Sequence, residues 1–335
     1  MIRMKGKYGL ISIIIILSII LEIIFTTTCY ATDTIFIEKQ ENIKIVDKNG
    51  KGDYISIQEA INKEPEGSTI YVKRGFYNEI LNINKKINLI GENKENTIIH
   101  PESEKNKYSI NLNAPEIVIE KLSIKNSGPG LYTSGIKISA LQTQIQDCCI
   151  YETPVGIAIF TSNNIINNCE FYGCTDEGIV LLGTPYSECK NNKIINCKFY
   201  ENCDGVELQY STDNIITNCD FYNNTHTGID AIISSNDRNI ISNCKIYNNN
   251  VHGLYLSSSS YNKIIDCNIL NNDNGNIVMN KDSENNQIIS KSNIELETKK
   301  ENYSKGVIYF LFSKKFDGPI IKIISLLKGK IIAVF

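Results

Sequence analysis

Acidic and histidine side chains recur beside a series of glycines in the middle of the chain. One group lies one or two residues before a glycine and comprises Asp176, Glu177, Asp204, His226 and His252. A second group lies two residues after a glycine and comprises Lys137, Glu207, Asp230 and Tyr255, with Gln209 two residues beyond Glu207. Carboxylates that are brought close together repel one another, so one of them takes a raised pKa or a cation lies among them. The pattern therefore indicates acid–base chemistry or a Ca²⁺ site, for which Asp176, Asp204 and Asp230 are the candidate ligands.

The competing interpretation gives these residues no chemical role. Asp and Asn are common in solvated turns because their short polar side chains satisfy nearby backbone groups. Only an arrangement that brings several of the acids together separates the two interpretations.

The glycines belong to a sequence repeat that must position these side chains. Its most regular column comprises Cys148, Cys169, Cys197, Cys219, Cys244 and Cys267, at intervals of 21, 28, 22, 25 and 23 residues. An Ile or Phe follows each cysteine at the second position, and a Tyr follows most of them at the third. The glycine column comprises Gly135, Gly156, Gly178, Gly205, Gly228, Gly253 and Gly275. Most of these glycines are followed by alternating apolar residues, a two-residue period that indicates strands with one buried face.

A repeat of this length indicates a solenoid or a propeller. Propeller blades need about 40 residues, and leucine-rich repeats need leucines at fixed offsets that this sequence lacks. Each repeat has room for two or three short strands but not for a helix, so the sequence predicts an all-β fold, a single-stranded parallel β-helix. Equivalent residues of neighbouring coils should then stack about 4.8 Å apart. The acids that this stacking would place on one ridge are Asp176, Asp204, Glu207 and Asp230.

The two ends of the predicted solenoid differ from its middle. SIQEAINKEP (residues 56–65) is a helical pattern with Ile57, Ala60 and Ile61 on one face, and we expect this helix to cap the first end. The β-helix itself is assigned to residues 32–292. Residues 293–335 change from polar ETKKEN to strand-like GVIYFLF, which predicts a C-terminal cap or a partial β module.

Residues 1–31 have the features of a targeting segment. A basic stretch, MIRMKGKYG, precedes the apolar run LISIIIILSIILEIIF, and cleavage is expected after Ala31. The run is short for a spanning helix, so we predict a signal peptide or an N-terminal anchor. Either one places the rest of the chain outside the cytoplasmic membrane, secreted, periplasmic or on the cell surface, with no further membrane contact. The net charge of −3 and the lack of a basic stripe argue against nucleic acid as a partner, and a monomer is expected.

The cysteines allow three interpretations. The column cysteines are interpreted as buried thiols that act as small apolar fillers. Cys174, Cys189 and Cys203 lie in turns of adjacent coils, where one pair could form a disulfide in an oxidising compartment. Copper binding is disfavoured because the three histidines and three methionines form no spaced motif.

Two stretches resemble known β-helix proteins. GKGDYISIQEAINKEPEGSTIYVKRGFYNEILNINKKINLIGE resembles the N-terminal region of pectin-lyase-like proteins, and the NNxIxNCxFYxNxxxGIxLxxSSxNN repeats resemble NosD-type right-handed parallel β-helix repeats. Together they cover roughly residues 45–290. The resemblance implies a right-handed coil. It implies no single activity, because the superfamily includes lyases, hydrolases, esterases, epimerases, surface-binding proteins and a protein linked to copper-site assembly.

In these families the active site lies on the outward face of the strand after the glycine column, and the resemblance therefore implies a carbohydrate site here. A hydrolase would use two carboxylates, for which Asp204 with Asp230 is the natural pair. A lyase would use Ca²⁺ to neutralise a uronate and a base such as Lys137, His252 or Tyr255. The catalytic candidates are thus Asp204, Asp230, Glu207, Asp176, His252 and Lys137, and the substrate-binding candidates are Tyr255, Gln209, Glu177 and His226.

Pectin de-esterification is not expected. GCTDEG and NCDGVE place Asp176 and Asp204 roughly where pectinesterases carry two aspartates. The glutamine-containing motif, the DFIFG-like context and the downstream arginine of that family are absent, so the parts that would bind substrate and stabilise the oxyanion are missing.

We therefore expect a secreted or cell-surface β-helix that binds or processes a polysaccharide, such as a glycan of the cell envelope, with lyase, hydrolase and non-catalytic roles all open. The alternatives are a structural surface protein or adhesin, and a NosD-like periplasmic copper-handling factor. A recessed cluster of Asp204, Asp230 and His252 would favour the first, a bare ridge the second, and a compact Cys/His cluster the third.

Overall fold

The computed structural model describes residues 43–101, 108–126, 128, 133–280 and 282–290, and the backbone of residues 307–312, 320–327 and 330–334. Within them the chain adds successive strands in turn to three long sheets, here called A, B and C, so that each circuit forms one coil. Nine coils contribute a strand to each sheet, and neighbouring coils pair in parallel. This confirms the predicted right-handed parallel β-helix, the hand that parallel crossovers almost always take.

The strands are short, as the repeat predicts. Sheet A comprises β1 (Ile43–Val46), β2 (Thr69–Val72), β5 (Asn88–Gly91), β8 (Val118–Glu120), β11 (Gln144–Gln146), β14 (Ile165–Asn167), β18 (Lys193–Ile195), β22 (Ile215–Thr217), β25 (Ile240–Ser242), β28 (Lys263–Ile265), β31 (Gln287–Ser290), β32 (Val307–Phe312), β33 (Ile320–Leu327) and β34 (Lys330–Val334). Sheet B comprises β3 (Gly75–Tyr77), β6 (Thr97–Ile99), β9 (Ser123–Lys125), β12 (Cys149–Tyr151), β15 (Glu170–Tyr172), β19 (Lys198–Tyr200), β23 (Asp220–Tyr222), β26 (Lys245–Tyr247) and β29 (Asn268–Leu270). Sheet C comprises β4 (Leu81–Ile83), β7 (Tyr108–Leu112), β10 (Ser134–Ile138), β13 (Val155–Ile159), β16 (Glu177–Leu182), β20 (Asp204–Gln209), β24 (Ile229–Ala231), β27 (Leu254–Leu256) and β30 (Ile277–Met279).

The repeated N-C-x-F-Y motif forms the corner between sheets A and B and the sheet B strand that follows. In one coil, Asn196 takes a left-handed conformation (φ 55°) that turns the chain, which Asn tolerates better than most residues. Cys197 and Phe199 then point inward and are buried, while Lys198 and Tyr200 point outward. This alternation explains why an inward cysteine and an inward Ile or Phe recur in each copy of the motif.

Like residues stack inside the coils. The ring centroids of Phe171 and Phe199 lie 4.8 Å apart, and those of Phe199 and Phe221 lie 4.7 Å apart. The column cysteines are buried free thiols that donate to backbone carbonyls, as from Cys197 Sγ to the Ile195 oxygen at 3.2 Å. The cysteines of the turns, Cys174, Cys189 and Cys203, are free thiols as well.

Two buried asparagine ladders hold the corners of sheet C. At the corner before sheet C, the backbone N–H of Asn202 donates to Asn224 Oδ1, and that of Asn224 donates to Asn249 Oδ1, both at 3.1 Å. At the corner after sheet C, the corresponding distances are 2.8–2.9 Å along the second ladder, Asn164, Asn192, Asn214, Asn239, Asn262 and Asn286. Each asparagine satisfies a backbone group that the turn would otherwise leave buried without a partner.

The glycine column lets neighbouring coils approach at the start of each sheet C strand. A Cβ atom at Gly205 would lie 2.4 Å from the Gly228 oxygen and 2.6 Å from a ring carbon of Phe221. The prediction that Gly275 continues this column is wrong. Leu254 pairs with Ile277, so Asn276 takes the equivalent position and Gly275 lies one residue earlier, with a φ of +139°.

The predicted capping helix is confirmed as α1 (Ile57–Lys63). Ile57, Ala60 and Ile61 form its buried face, as the pattern indicated. The Ser56 side chain accepts the N–H of Glu59 as an N-cap, which stabilises the first turn.

The ends of the chain are only partly described. The predicted signal peptide or anchor, residues 1–31, lies outside the described residues and stays a prediction, as does the division at residues 292 and 293. At the far end, β32 extends sheet A in parallel and β33 and β34 add to it in antiparallel. Among the described residues, no helix has the length and apolar character needed to cross a membrane.

Residues 183–190 form an insertion between two coils that leaves the stack undisturbed. It follows β16, is closed by a bridge between Thr184 and Ser187, and ends in β17 (Cys189–Lys190). This strand pairs with β21 (Ser211–Thr212) of the next coil, and Tyr186 at the tip of the insertion is fully exposed.

Candidate functional site

Most of the candidate residues lie on the outward face of sheet C. The strand pairing places one outward column in register, and its members from coil to coil are Lys137, Ala158, Val180, Glu207, Asp230 and Tyr255. A neighbouring column pairs Glu177 with Asp204. Parallel pairing thus brings acids of three successive coils together on one face.

Three carboxylates converge there. One oxygen from each of Asp204, Glu207 and Asp230 lies within 4.8 Å of the other two. Although these side chains point away from the core of the coil, the residues are only 5%, 7% and 4% exposed. This part of sheet C is therefore recessed rather than a bare ridge. We call these three residues, with the adjacent Asp176 and Glu177, the acidic cluster.

Asp204 is anchored by the next coil. Its Oδ1 accepts hydrogen bonds from His226 Nδ1 at 2.8 Å and from the backbone N–H of Thr227 at 2.7 Å. Burial raises the pKa of the Asp204 carboxyl, and the contact with His226 opposes that shift. The imidazole of His226 is 45% exposed, so its hydrogen bond with Asp204 connects the recessed acids to the protein surface.

Glu207 and Glu177 form the second part of the cluster. Gln209 Nε2 donates to Glu207 Oε1, which orients that carboxyl. Burial raises the pKa of Glu207 and strongly raises that of Glu177, where repulsion from Asp176 and Glu207 adds to the effect. Glu177 therefore favours its protonated form near neutral pH.

Asp230 has a free acceptor. Its Oδ1 is buried and has no hydrogen-bond partner in the protein. Burial, followed by repulsion from Asp204 and Glu207, raises the pKa of this carboxyl from 3.8 to about 7. A buried polar atom without a partner is costly, and in native proteins it marks a place where a ligand or water completes the hydrogen bonding.

His252 and Tyr255 border Asp230 on the following coil. Their rings stack with centroids 5.2 Å apart and an angle of 15° between the planes. Burial lowers the pKa of His252, with a further contribution from His226, so its imidazole is neutral at physiological pH. Tyr255 pairs directly with Asp230 across the strands, which places a flat aromatic surface beside the free carboxyl.

Lys137 does not join the acidic cluster. Ala158 and Val180 occupy the two coils between it and Glu207, a separation of about 14 Å at the usual strand spacing. Its ammonium lies over the rings of Tyr108 and Phe160, at 4.9 and 5.3 Å from their centroids. The structure thus brings the other sequence candidates together but leaves this lysine apart.

Two features of the site were missed by the sequence reasoning. Val155, Ala158 and Val180 form a separate buried apolar cluster on the outward face, with Leu182 packed against it. Small apolar residues at the outward positions of two consecutive coils were the available signal. The second feature is Cys203, whose thiol lies beside Asp204 and His226 because the turn before β20 stacks directly under the next turn.

Two donor sets could hold a metal ion. The first is the carboxylate trio of Asp204, Glu207 and Asp230, which suits a hard cation by its chemistry. The second is Cys203, Asp204 and His226, whose sulfur, oxygen and nitrogen donors lie within 4.8 Å of one another and suit a transition metal. Burial and the nearby Asp204 raise the pKa of the Cys203 thiol to about 11, so a metal would have to displace its proton.

We expect Asp230→Asn to weaken the pH dependence of stability. Between pH 3.8 and about 7 the folded protein keeps a proton on Asp230 that the unfolded chain has lost. The free energy of unfolding of the wild type should therefore fall as pH rises through this window, and that of the variant should fall less. Urea denaturation at a series of pH values measures this.

Asp220→Asn is the matched control, because Asp220 points outward from sheet B and lies outside the acidic cluster. It should keep the wild-type pH dependence. Identical pH dependence in Asp230→Asn and the wild type would contradict the environment described for Asp230.

Comparison with known proteins agrees with the observed coils. The family described as "Periplasmic copper-binding protein (NosD)" matches residues 61–230, and the family described as "Right handed beta helix region" matches residues 188–313. No curated protein sequence matches the chain.

Several solved structures share the fold at low sequence identity. The A-module of a mannuronan C-5 epimerase from Azotobacter vinelandii is 15% identical with a TM-score of 0.56, over 70% of this chain and 82% of that chain. A rhamnogalacturonan lyase is 15% identical with a TM-score of 0.56, over 74% of each chain. A pectate lyase is 12% identical with a TM-score of 0.53, over 82% of this chain and 77% of that chain. With its stacked coils and the match over residues 61–230, the chain belongs to the NosD family of right-handed β-helix proteins, within the pectin-lyase-like fold group.

Proposed function

We propose that this protein binds a polysaccharide on the outward face of sheet C, with the acidic cluster as the centre of the binding site. The observation that carries the proposal is the recessed group of Asp204, Glu207 and Asp230, one of whose oxygens has no partner in the protein. Sugar hydroxyls donate hydrogen bonds that such an oxygen lacks, and carboxylates are strong acceptors for them.

A purely architectural role does not account for the cluster. Acids that serve only as turn residues stay in water, as Glu152 and Glu201 do at left-handed turn positions elsewhere in the solenoid. Burying several like charges together reduces the stability of the fold. Their presence here therefore indicates a function or a binding partner. The fold group supports a glycan partner, since several of its solved members are named for activities on polysaccharides.

The proposed location is outside the cytoplasmic membrane. The predicted signal peptide or anchor supports this, and the matching family is described as periplasmic. A glycan of the cell envelope is therefore the proposed class of partner.

Catalysis is a further part of the proposal. Asp204 and Asp230 are the pair best placed to act on a glycosidic bond, because one is held by His226 and the pKa of the other lies near neutral pH. One oxygen of each lies within 4.8 Å of an oxygen of the other, so both carboxyls can reach the same glycosidic bond.

Retention on immobilised polysaccharides tests the proposal. The protein should bind at least one member of a panel of neutral and acidic polysaccharides, and Asp230→Ala should weaken that binding by roughly tenfold, since both acceptor oxygens of the side chain are removed. Asp220→Ala on sheet B is the matched control and should bind like the wild type. Reducing ends and unsaturated products, measured in the same reactions, report hydrolase and lyase activity.

Two results would contradict the proposal. One is a failure of the folded wild-type protein to bind any member of the panel. The other is equal binding by the wild type and Asp230→Ala, which would move the glycan site away from the acidic cluster.

Metal handling is a second candidate function, and the set of Cys203, Asp204 and His226 favours it. Thiolate and imidazole are ligands that suit copper, and Cys203 and His226 are both partly exposed and so accessible to an incoming ion. All three residues lie within the matched region of the family described as copper-binding. A bound copper ion would supply an electron-accepting centre at the edge of the acidic cluster, held by these three side chains.

Copper titration followed by thiolate-to-copper charge-transfer absorbance tests this second function. Saturable binding should be lost in Cys203→Ser and His226→Ala. Cys149→Ser should retain it, because Cys149 is also a partly exposed free thiol but lies on sheet B. Absence of the absorbance band, or an equal band in all variants, would reject copper at this site.

A further inference from the structure

We infer that the site on sheet C selects neutral, hydroxyl-rich glycans and binds them directly, without a bridging cation. This inference rests on the proposed function and narrows its substrate class. It joins three observations: the charge balance of the acidic cluster, the hydrogen bonds already made by its carboxylates, and the apolar surfaces on both sides of it.

The charge around the acidic cluster opposes an anionic sugar. Among the described residues, the ionisable groups that act most strongly on Glu177, Glu207 and Asp230 are other acids, with His226 as the one basic partner. His226 already pairs with Asp204. Lys137 is three coils away over two aromatic rings and cannot neutralise a bound carboxylate. A uronate would therefore meet uncompensated like charge.

The carboxylate trio suits a hard cation by its chemistry but does not form a complete Ca²⁺ site. Ca²⁺ needs about six to eight oxygen ligands. Asp204 Oδ1 already accepts two N–H groups, and Glu207 Oε1 accepts the Gln209 amide. With these two oxygens engaged, the trio keeps four of its six carboxylate oxygens, fewer than Ca²⁺ needs, and Asp230 Oδ1 is buried without a hydrogen bond from the protein. A donor hydroxyl satisfies Asp230 without disturbing its neighbours.

The flanks of the cluster suit the apolar faces of sugar rings. On one side the half-buried Leu182 packs against the buried Ala158 and Val180, and on the other lies the stacked pair of His252 and Tyr255. A pyranose ring without a charged substituent presents C–H groups on its faces and hydroxyls at its edge. Apolar walls around a few placed polar groups are the usual composition of a small-molecule site. The order of surfaces along sheet C, with an apolar flank, the acidic cluster and then the aromatic pair, therefore matches a neutral glycan that lies across several coils.

Isothermal titration with charged and uncharged glycans tests the inference. The neutral probes are xylan, galactomannan and mixed-linkage β-glucan fragments, and the uronate probes are polygalacturonate and alginate fragments. Each is titrated into the full protein in EDTA and again in Ca²⁺. We expect at least one neutral probe to bind in EDTA at least about tenfold more tightly than either uronate, with no gain from Ca²⁺. Asp230→Ala, which removes both acceptor oxygens, should reduce this binding by roughly tenfold, and Asp220→Ala should not.

Each other outcome overturns the inference in a way that can be distinguished. Uronate binding that equals or exceeds neutral binding, or that appears only with Ca²⁺, rejects the neutral class while leaving a glycan-binding protein. Binding of no probe by the folded protein, with or without Ca²⁺, rejects both the inference and the proposed function.

Discussion

Register between coils is the constraint on which the rest of this structure depends. Each coil repeats the same three strands, and parallel pairing places every residue over its equivalent in the coil before. Side chains must therefore tolerate contact with copies of themselves. Asparagine amides, phenylalanine rings and glycine backbones meet this requirement, since amide ladders and stacked rings stabilise in-register sheets. The sequence motif recurs because each coil must meet that requirement.

Carboxylates do not tolerate contact with copies of themselves, and the acidic cluster is therefore an exception in this fold. Stacking acids at the spacing of one coil places like charges in contact, and their burial here raises the pKa values of Glu177 and Asp230. The surrounding contacts offset only part of this cost: His226 and Thr227 bond Asp204, and Gln209 bonds Glu207, while Asp230 is left without a partner. A solenoid without a ligand here would gain stability by replacing these acids with the asparagines used elsewhere. The cluster is thus a local exception that binding accounts for better than architecture.

Much of the fold and of the candidate site could be predicted from the sequence. In a solenoid, residues at the same position of successive repeats stack on one another, so a column in the aligned repeats is also a column in the structure. Counting residues from each glycine placed Glu207, Asp230 and Tyr255 on one outward column, and the strand pairing agrees. The same count places Lys137 three coils away, so its separation from the acids was already present in the numbering. Gly275 departs from its column because Asn276 takes the position equivalent to Gly253 in the strand pairing.

Contacts between side chains of different coils could not be predicted from the columns of the aligned repeats. The bond from His226 to Asp204 joins residues that stand at different offsets from their glycines, two before and one before, so no single column contains both. The burial of the acids depends on how neighbouring side chains close over the face, as does the approach of Cys203 to His226. These are tertiary contacts, and local pattern carries no information about them.

A crystal structure of the protein with a neutral oligosaccharide tests the central claim most directly. The account predicts a sugar hydroxyl within hydrogen-bond distance of Asp230, with a ring face lying on His252 and Tyr255. A sugar bound on sheet A or sheet B would contradict it. A metal ion bridging the sugar to Asp204, Glu207 and Asp230 would contradict the claim that the glycan is bound directly.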